Sequence, residues 1–234
     1  MQVFEMSCID AAPRLSASLN DQIRLFGDGL IGSGRAYTAV WHPLAVSRFH
    51  KPRDRKIRPY LDISFILAKG STPVFSKLAK TCLTPVLGDT VQWLPVDFDE
   101  QEFWLVNVLE SVSFDTEKSK ITTYLGGGTG AIEQFAFDEL TVKDKRLFKV
   151  KQKPIYVLCT ERLRECVIQN QLTGFHFSVV WDSRYNPFPA GLDNNTDVIG
   201  RPEIYGPYGI KPIDKEFRHK FWPLEWFELE TAKK

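Results

Sequence analysis

The stretch DTVQWLPVDFDEQEFWLVNVL, residues 89–109, contains two runs of β-branched and aromatic residues separated by a short acidic segment. Such residues favour β-strands because their branched or flat side chains pack well on a pleated surface. The segment between them, VDFDEQE at 96–102, places four carboxylates in or beside one connection, which is typical of a solvated turn. The stretch therefore predicts two strands joined by an acidic turn.

Strand-like runs recur through the middle of the chain, and helical patterns lie before and after them. Further strands are predicted at 60–68, 119–125, 132–140, 147–150, 154–159 and 175–181. Helices are predicted at 14–29, at 33–43, from a Ser76 cap to Pro85, and at 160–174 between a Thr160 cap and Gly174. This order predicts an α+β fold with a mainly antiparallel sheet and a few flanking helices, followed by an irregular C-terminal segment rich in aromatic residues and proline.

The 234 residues are expected to form one structural unit made of three segments. Residues 1–59 form a helical segment with a basic loop, and residues 60–183 form the α+β core. Residues 184–234 form an extension that packs on this core, because the ending KFWPLEWFELE is rich in large apolar side chains.

Charge and cysteine content narrow the functional class. The net charge of +1 gives no general attraction to nucleic acid. The four cysteines, at positions 8, 82, 159 and 166, fit no zinc-binding spacing and are expected as free thiols in a reducing compartment. The chain has no signal-peptide pattern and no run of about 18 apolar residues. We therefore expect a cytoplasmic protein with no membrane partner, and homo-oligomerisation stays open.

The glycine run YLGGGTGAIEQ, residues 124–134, has the glycine spacing of a dinucleotide-binding turn. Such a turn requires a helix directly after it, because the helix N-terminus supplies the amides that bind the pyrophosphate. The residues that follow Gly130 instead alternate in the manner of a strand. The run therefore predicts a hairpin connection, and a nucleotide-binding enzyme that uses Gly126–Gly130 stays as the alternative function.

No catalytic, cofactor or metal motif is found. The four histidines, at positions 42, 50, 176 and 219, pair with no second ligand on a clear helix, and alternation places His176 opposite Phe175 and Phe177. The most basic patch, residues 48–58, is interpreted as a loop rather than a nucleic-acid contact. The acidic segment could hold a divalent metal, turn toward solvent, or bind a basic partner. The sequence thus predicts no enzyme, no cofactor and no metal.

Two stretches resemble a known bacterial family. FSKLAKTCLTPVLGDTVQWLPVDFDEQEFWLVNVLESVSFDTEKSK covers residues 75–120, and LFKVKQKPIYVLCTERLRECVIQNQLTGFHFSVVWDS covers residues 147–183. Their order is a serine-led helix, a Val-x-Trp-Leu-Pro-Val strand, a Leu-Val-Asn-Val-Leu strand, and later a charged helix before Leu-Thr-Gly-Phe-x-Phe. This order is similar to a family first catalogued as a domain of unknown function, whose naming member is myxobacterial. The family is now grouped with the immunity proteins of polymorphic toxin systems, which act in interbacterial competition.

The resemblance implies a non-enzymatic protein that binds and neutralises a cognate toxin domain through one protein–protein interface. The resemblance implies no catalytic residues in this chain. Protein interfaces rely on a few aromatic or charged anchors, so two surfaces are candidates. One is the acidic turn, with Asp97, Asp99, Glu100 and Glu102; the other is the aromatic tail, with Tyr205, Tyr208, Phe221, Trp222 and Trp226. The acidic turn suits a nuclease toxin with a basic cleft, and the tail suits a toxin with an apolar active site.

Overall fold

A computed structural model of the chain describes residues 1–8, 14–21, 23, 34–49, 61–68, 70–98, 101–123 and 129–185. Thirteen strands lie in these ranges: β1 Gln2–Cys8, β2 Arg14–Ala17, β3 Leu44–Phe49, β4 Ile63–Ala68, β5 Gly70–Ser76, β6 Val91–Asp97, β7 Phe103–Val108, β8 Ser111–Val112, β9 Lys120–Thr123, β10 Thr129–Gln134, β11 Leu147–Val150, β12 Lys153–Thr160 and β13 Phe175–Asp182. The helices are α1 Lys77–Leu87, α2 Glu139–Val142 and α3 Glu161–Gln169, and a 3₁₀ turn spans Gly88–Thr90. Most strand pairs are antiparallel, so the predicted α+β class with mainly antiparallel pairing is confirmed.

Six strands close into a barrel in the order β2-β3-β6-β7-β5-β4. The predicted antiparallel pair β6–β7 forms one wall, with Trp93 opposite Val106 and Pro95 opposite Trp104. Inward-facing side chains fill the interior, as expected of a small barrel. They are Leu15, Ala17, Leu44, Val46, Ile66, Val74, Leu94, Val96, Phe103 and Leu105.

A five-stranded sheet in the order β13-β1-β12-β11-β8 lies beside the barrel, with the N-terminal strand β1 between β12 and β13. On one face, apolar residues of this sheet share a core with the barrel wall, α1 and α3. Phe75 of the barrel and Phe175 of the sheet are fully buried there, with ring centres 5.2 Å apart. The β9–β10 ribbon and α2 cover the opposite face, where Phe137 packs against Trp181.

The predicted helical N-terminal segment is wrong for the residues that the structure describes. Residues 14–17 form β2, in which Leu15 and Ala17 point into the barrel, and only residues 19–21 and 23 are helical. Barrel pairing thus outweighs the helical spacing of the apolar residues at 15–26. Strand β1 belongs to the five-stranded sheet, and β2 and β3 belong to the barrel.

Residues 34–43, which were predicted as helix, form neither helix nor strand. The side-chain amide of Gln92 replaces a backbone partner there, since its Oε1 accepts from Tyr37 N (2.7 Å) and its Nε2 donates to Tyr37 O (2.9 Å). Asn107 Nδ2 donates to Arg35 O (2.8 Å) and Trp41 Nε1 donates to Pro95 O (2.7 Å). These bonds from the β6–β7 wall satisfy the segment in an extended form.

Helix α1 begins as predicted. Ser76 Oγ accepts from Ala79 N (3.1 Å) at the N-cap position. The predicted end at Pro85 is wrong, because the helix continues through this proline to Leu87 and ends at Gly88.

Helix α3 also begins where predicted, with Thr160 at the N-cap position, although the Thr160 hydroxyl donates to Lys145 O (2.7 Å) rather than accepting from the helix. The predicted C-terminal cap is wrong. At the C-terminal end the left-handed residue is Gln171, with φ 55°, rather than Gly174. Gly174 also has a positive φ, and its Cα packs so closely on Leu61 that an added Cβ would lie 2.6 Å from the Leu61 Cβ.

The strands around the glycine run pair antiparallel, with Thr123 opposite Thr129, as expected of a hairpin. Residues 124–128 lie outside the described residues. Gly130 belongs to β10, where an added Cβ would lie 2.6 Å from the backbone oxygen of Thr122, so only glycine fits against β9 at this position. The strand predicted at 132–140 ends at Gln134, and α2 follows, with Asp138 Oδ1 accepting from Leu140 N (3.0 Å).

Asp62 links three elements, and we expect its removal to destabilise the fold. Its carboxylate accepts from Ser76 Oγ (2.6 Å), from Thr173 N (2.7 Å) and from Thr173 Oγ1 (2.8 Å). Asp62→Ala leaves these half-buried donors without an acceptor, which should lower the free energy of unfolding by about 2 kcal/mol. Urea unfolding measures this loss, with the exposed Asp89→Ala as the matched control. Equal midpoints for the two variants would contradict the role assigned to Asp62.

Candidate functional site at the acidic turn

The acidic turn lies at one end of the β6–β7 pair. Asp97 ends β6, and Glu102 directly precedes β7; both side chains are exposed. Continuing the register from Pro95 opposite Trp104 places Asp97 opposite Glu102, so the structure brings these two predicted site residues together. Asp99 and Glu100 lie outside the described residues. At the base of the turn, Phe98 packs against Phe103 with ring centres 6.0 Å apart.

The first residue of α1 contacts this turn. Lys77 Nζ lies 2.8 Å from Glu102 Oε2, and Lys77 N donates to Glu102 O (3.2 Å). Both side chains are more than half exposed, so solvent screens the ion pair and its contribution to stability is small. Its effect is positional, because it fixes the start of α1 beside the acidic turn.

Trp104 lies next to Glu102 on the outer side of the β5–β7 pair, below α1. Lys80 Nζ lies 3.0 Å from the centre of its ring, which is a cation–π contact. Partial burial lowers the pKa of Lys80 from its usual range, and the nearby Glu102 carboxylate opposes this change. The indole Nε1 is buried and has no hydrogen-bond acceptor among the described residues.

The outer face of α1 also carries an exposed leucine. Leu78 is 55% exposed, and Thr81 and Pro85 are exposed on the same side of the helix. Because Leu78 and Lys80 are two residues apart on a helix, their side chains do not face the same way. A half-buried tryptophan beside mixed charges is typical of a surface that binds another protein. We call the set Lys77, Lys80, Asp97, Glu102 and Trp104 the Trp104 surface.

The sequence predicted the two carboxylates of this surface but not Trp104 or Lys80. One signal was present: Lys77 and Lys80 lie three residues apart, which puts them close together on a helix. Nothing in the sequence indicated that Trp104, rather than Phe103 or Leu105, points out of the barrel toward them. The second candidate surface, Tyr205, Tyr208, Phe221, Trp222 and Trp226, lies outside the described residues, as do residues 50–58 of the basic patch.

Titratable groups elsewhere in the described residues form no comparable cluster. His176 lies on the face opposite Phe175 and Phe177, as predicted, where its Nδ1 is 2.9 Å from Ser7 Oγ. The described parts of the chain contain no group of three or more His, Cys, Asp or Glu side chains that could hold a metal ion. Complete burial raises the pKa of the Cys159 thiol far above its usual range.

No described helix is long and apolar enough to cross a membrane.

No protein-family model matches the chain. No curated protein matches it either. The resemblance carried by residues 75–120 and 147–183 therefore stays a prediction.

Proposed function

We propose that this chain is an immunity protein that binds a cognate bacterial toxin domain in the cytoplasm and neutralises it through a protein–protein interface, without catalysis. Two features support the proposal. One is the resemblance of residues 75–120 and 147–183 to immunity proteins of polymorphic toxin systems. The other, on which the choice of surface depends, is Trp104 beneath Lys80 and close to the acidic turn.

The composition of the acidic turn favours a basic partner. In the sequence the turn contains four carboxylates, at positions 97, 99, 100 and 102, and α1 beside it begins with Lys77 and Lys80 as the two nearby ammonium groups. A toxin that cleaves nucleic acid needs a basic cleft to attract phosphates. Complementary charge would steer the two proteins together, and Trp104 would supply the apolar anchor. The inhibitor would then cover the cleft that the toxin uses for its substrate.

The alternative, a nucleotide-binding enzyme built on Gly126–Gly130, has less support. The run leads into strand β10, whereas a phosphate-binding turn leads into a helix whose N-terminus holds the anion. The close contact between Gly130 and Thr122 gives a structural reason for one of the glycines.

Charge reversal tests the proposed surface. We expect Asp99→Lys with Glu100→Lys to weaken binding of the cognate toxin by at least about tenfold, because the reversed charges meet a basic cleft. The proposal expects a large secreted protein to be encoded immediately upstream; its C-terminal domain is the toxin to use, and titration calorimetry measures the dissociation constant. Glu117→Lys, which reverses an exposed charge after β8, is the matched control.

Truncation after Ser183 separates the two candidate surfaces. If the acidic turn is the main contact, the truncated chain retains most of its affinity while the double lysine variant loses it. If only the truncated chain loses affinity for the toxin, the aromatic tail rather than the acidic turn is the main contact. Unchanged affinity in both variants would overturn both assignments.

A further inference from the structure

Two cysteines lie at the contact between α1 and α3. The two helices bury Leu83 and Leu87 of α1 together with Leu163 and Val167 of α3 in one core. Cys82 and Cys166 pack at the margin of this core and are only partly buried. Both thiols are therefore within reach of small molecules in solvent.

The Cys166 sulfur points at the backbone of Cys82. Its Sγ lies 3.7 Å from Cys82 O. Since a carbonyl oxygen is about 2.4 Å from its own Cα, the Cys166 sulfur lies within about 6 Å of the Cys82 Cα. Disulfides join cysteines whose Cα atoms are about 4.4–6.8 Å apart. The contact limits the separation of the two Cα atoms but does not place it inside this window, so bond formation requires side-chain rotation together with a shift of α1 toward α3.

The surroundings of Cys166 determine the pH at which this thiol reacts. Asn170 Nδ2 donates to the Cys166 sulfur (3.4 Å), which favours the thiolate. Burial raises the pKa of Cys166, and repulsion from the neighbouring Cys82 raises it further. A bond between the two sulfurs removes both the cost of burying a charged thiolate and the repulsion between the two thiolates. Because the raised pKa lowers the thiolate fraction at neutral pH, the reaction should accelerate as the pH rises.

We propose that Cys82 and Cys166 form a reversible disulfide that links α1 to α3, through exchange with a small dialkyl disulfide. One cysteine thiolate attacks a sulfur of the small disulfide, breaks its S–S bond and releases one thiol, which takes up the proton. The second cysteine loses its proton and displaces the remaining small thiol from the mixed disulfide. Two electrons pass from the cysteines to the small disulfide, which leaves as two thiols.

Oxidised glutathione is the probe for this reaction. The folded full-length chain is incubated with it at pH 8.5, quenched in acid, alkylated and digested without reductant. We expect a cross-linked peptide that joins residues 82 and 166, an intact mass lower by two hydrogens, and alkylation of two cysteines instead of four. Treatment with dithiothreitol should restore all four sites.

Single substitutions locate the bond. Cys8→Ser should form the cross-link as the wild type does, whereas Cys82→Ser and Cys166→Ser should stop at a glutathione adduct on the remaining cysteine. The proposal is overturned if the folded wild type yields no link between residues 82 and 166, or if the link appears only after unfolding in urea. Circular dichroism of each variant confirms that the comparison is made between folded proteins.

Discussion

If the chain binds a toxin as proposed, we expect Trp104→Ala to weaken this binding by at least about 30-fold, the effect of removing an interface anchor of about 2 kcal/mol. The reason is the position of this ring, which lies beneath the Lys80 ammonium group, two residues after Glu102 of the acidic turn. A partner that covers it would exclude water from the cation–π pair and strengthen the contact. The dissociation constant for the upstream-encoded toxin domain measures the loss.

Three further measurements distinguish an anchor from a structural residue. Trp104→Phe keeps the apolar ring and should retain most of the affinity. Tyr185→Ala removes a 44% exposed aromatic residue beyond the end of β13 and is the matched surface control. Thermal unfolding midpoints show whether the Trp104→Ala variant stays folded. A folded Trp104→Ala protein that binds as tightly as the wild type would contradict the assignment.

Phe75→Ala lowers the free energy of unfolding by about 3–5 kcal/mol, the largest stability change that we expect from a single substitution here. Phe75 is fully buried, and its ring centre lies 5.2 Å from that of Phe175 and 6.0 Å from that of Trp93. Shortening this side chain leaves a cavity between the barrel wall and the five-stranded sheet, and this cavity weakens the packing of both. Urea unfolding followed by tryptophan fluorescence measures the change, and Phe75→Leu, which removes less volume, should cost less.

The same experiment tests whether the barrel and the sheet form one cooperative unit. Because Phe75 and Phe175 share one core, we expect a single unfolding transition that shifts as a whole, with an unchanged dependence on urea. Two transitions, of which only one moves in Phe75→Ala, would show that the two parts unfold independently.

Local sequence signals predicted the elements whose partners are close in the chain. The β6–β7 pair follows from two β-rich runs joined by an acidic turn, and α1 follows from the Ser76 cap before an amphipathic run. The glycine run between β9 and β10 was also interpreted correctly as a connection between two strands, because the residues after Gly130 alternate.

Long-range pairings decided what the sequence could not predict. The barrel closes through contacts such as Leu15 with Ile66 and Leu44 with Val96, which lie far apart in the chain. Residues 14–17 satisfy helical spacing and strand alternation equally well, and only these pairings select the strand. Likewise, the side-chain amides of Gln92 and Asn107 hold residues 34–43 extended, a substitution for backbone hydrogen bonds that no local pattern reveals.

The sequence predicted only the part of the candidate site whose residues are close together in the chain. Asp97 and Glu102 were found because charged residues cluster along the chain in the turn itself. Trp104 and Lys80 come together only when α1 crosses the outer side of β7, so their contact depends on the folded barrel.

Protection of living cells is the decisive test of the proposed immunity function. The toxin domain expected from the gene immediately upstream is expressed from an inducible promoter in a sensitive bacterium, with and without this chain, and survivors are counted. We expect the wild-type chain to restore growth, and we expect folded Trp104→Ala and the double lysine variant to protect far less. If the wild-type chain binds no part of the upstream protein and gives no protection, the proposal that this is an immunity protein is contradicted.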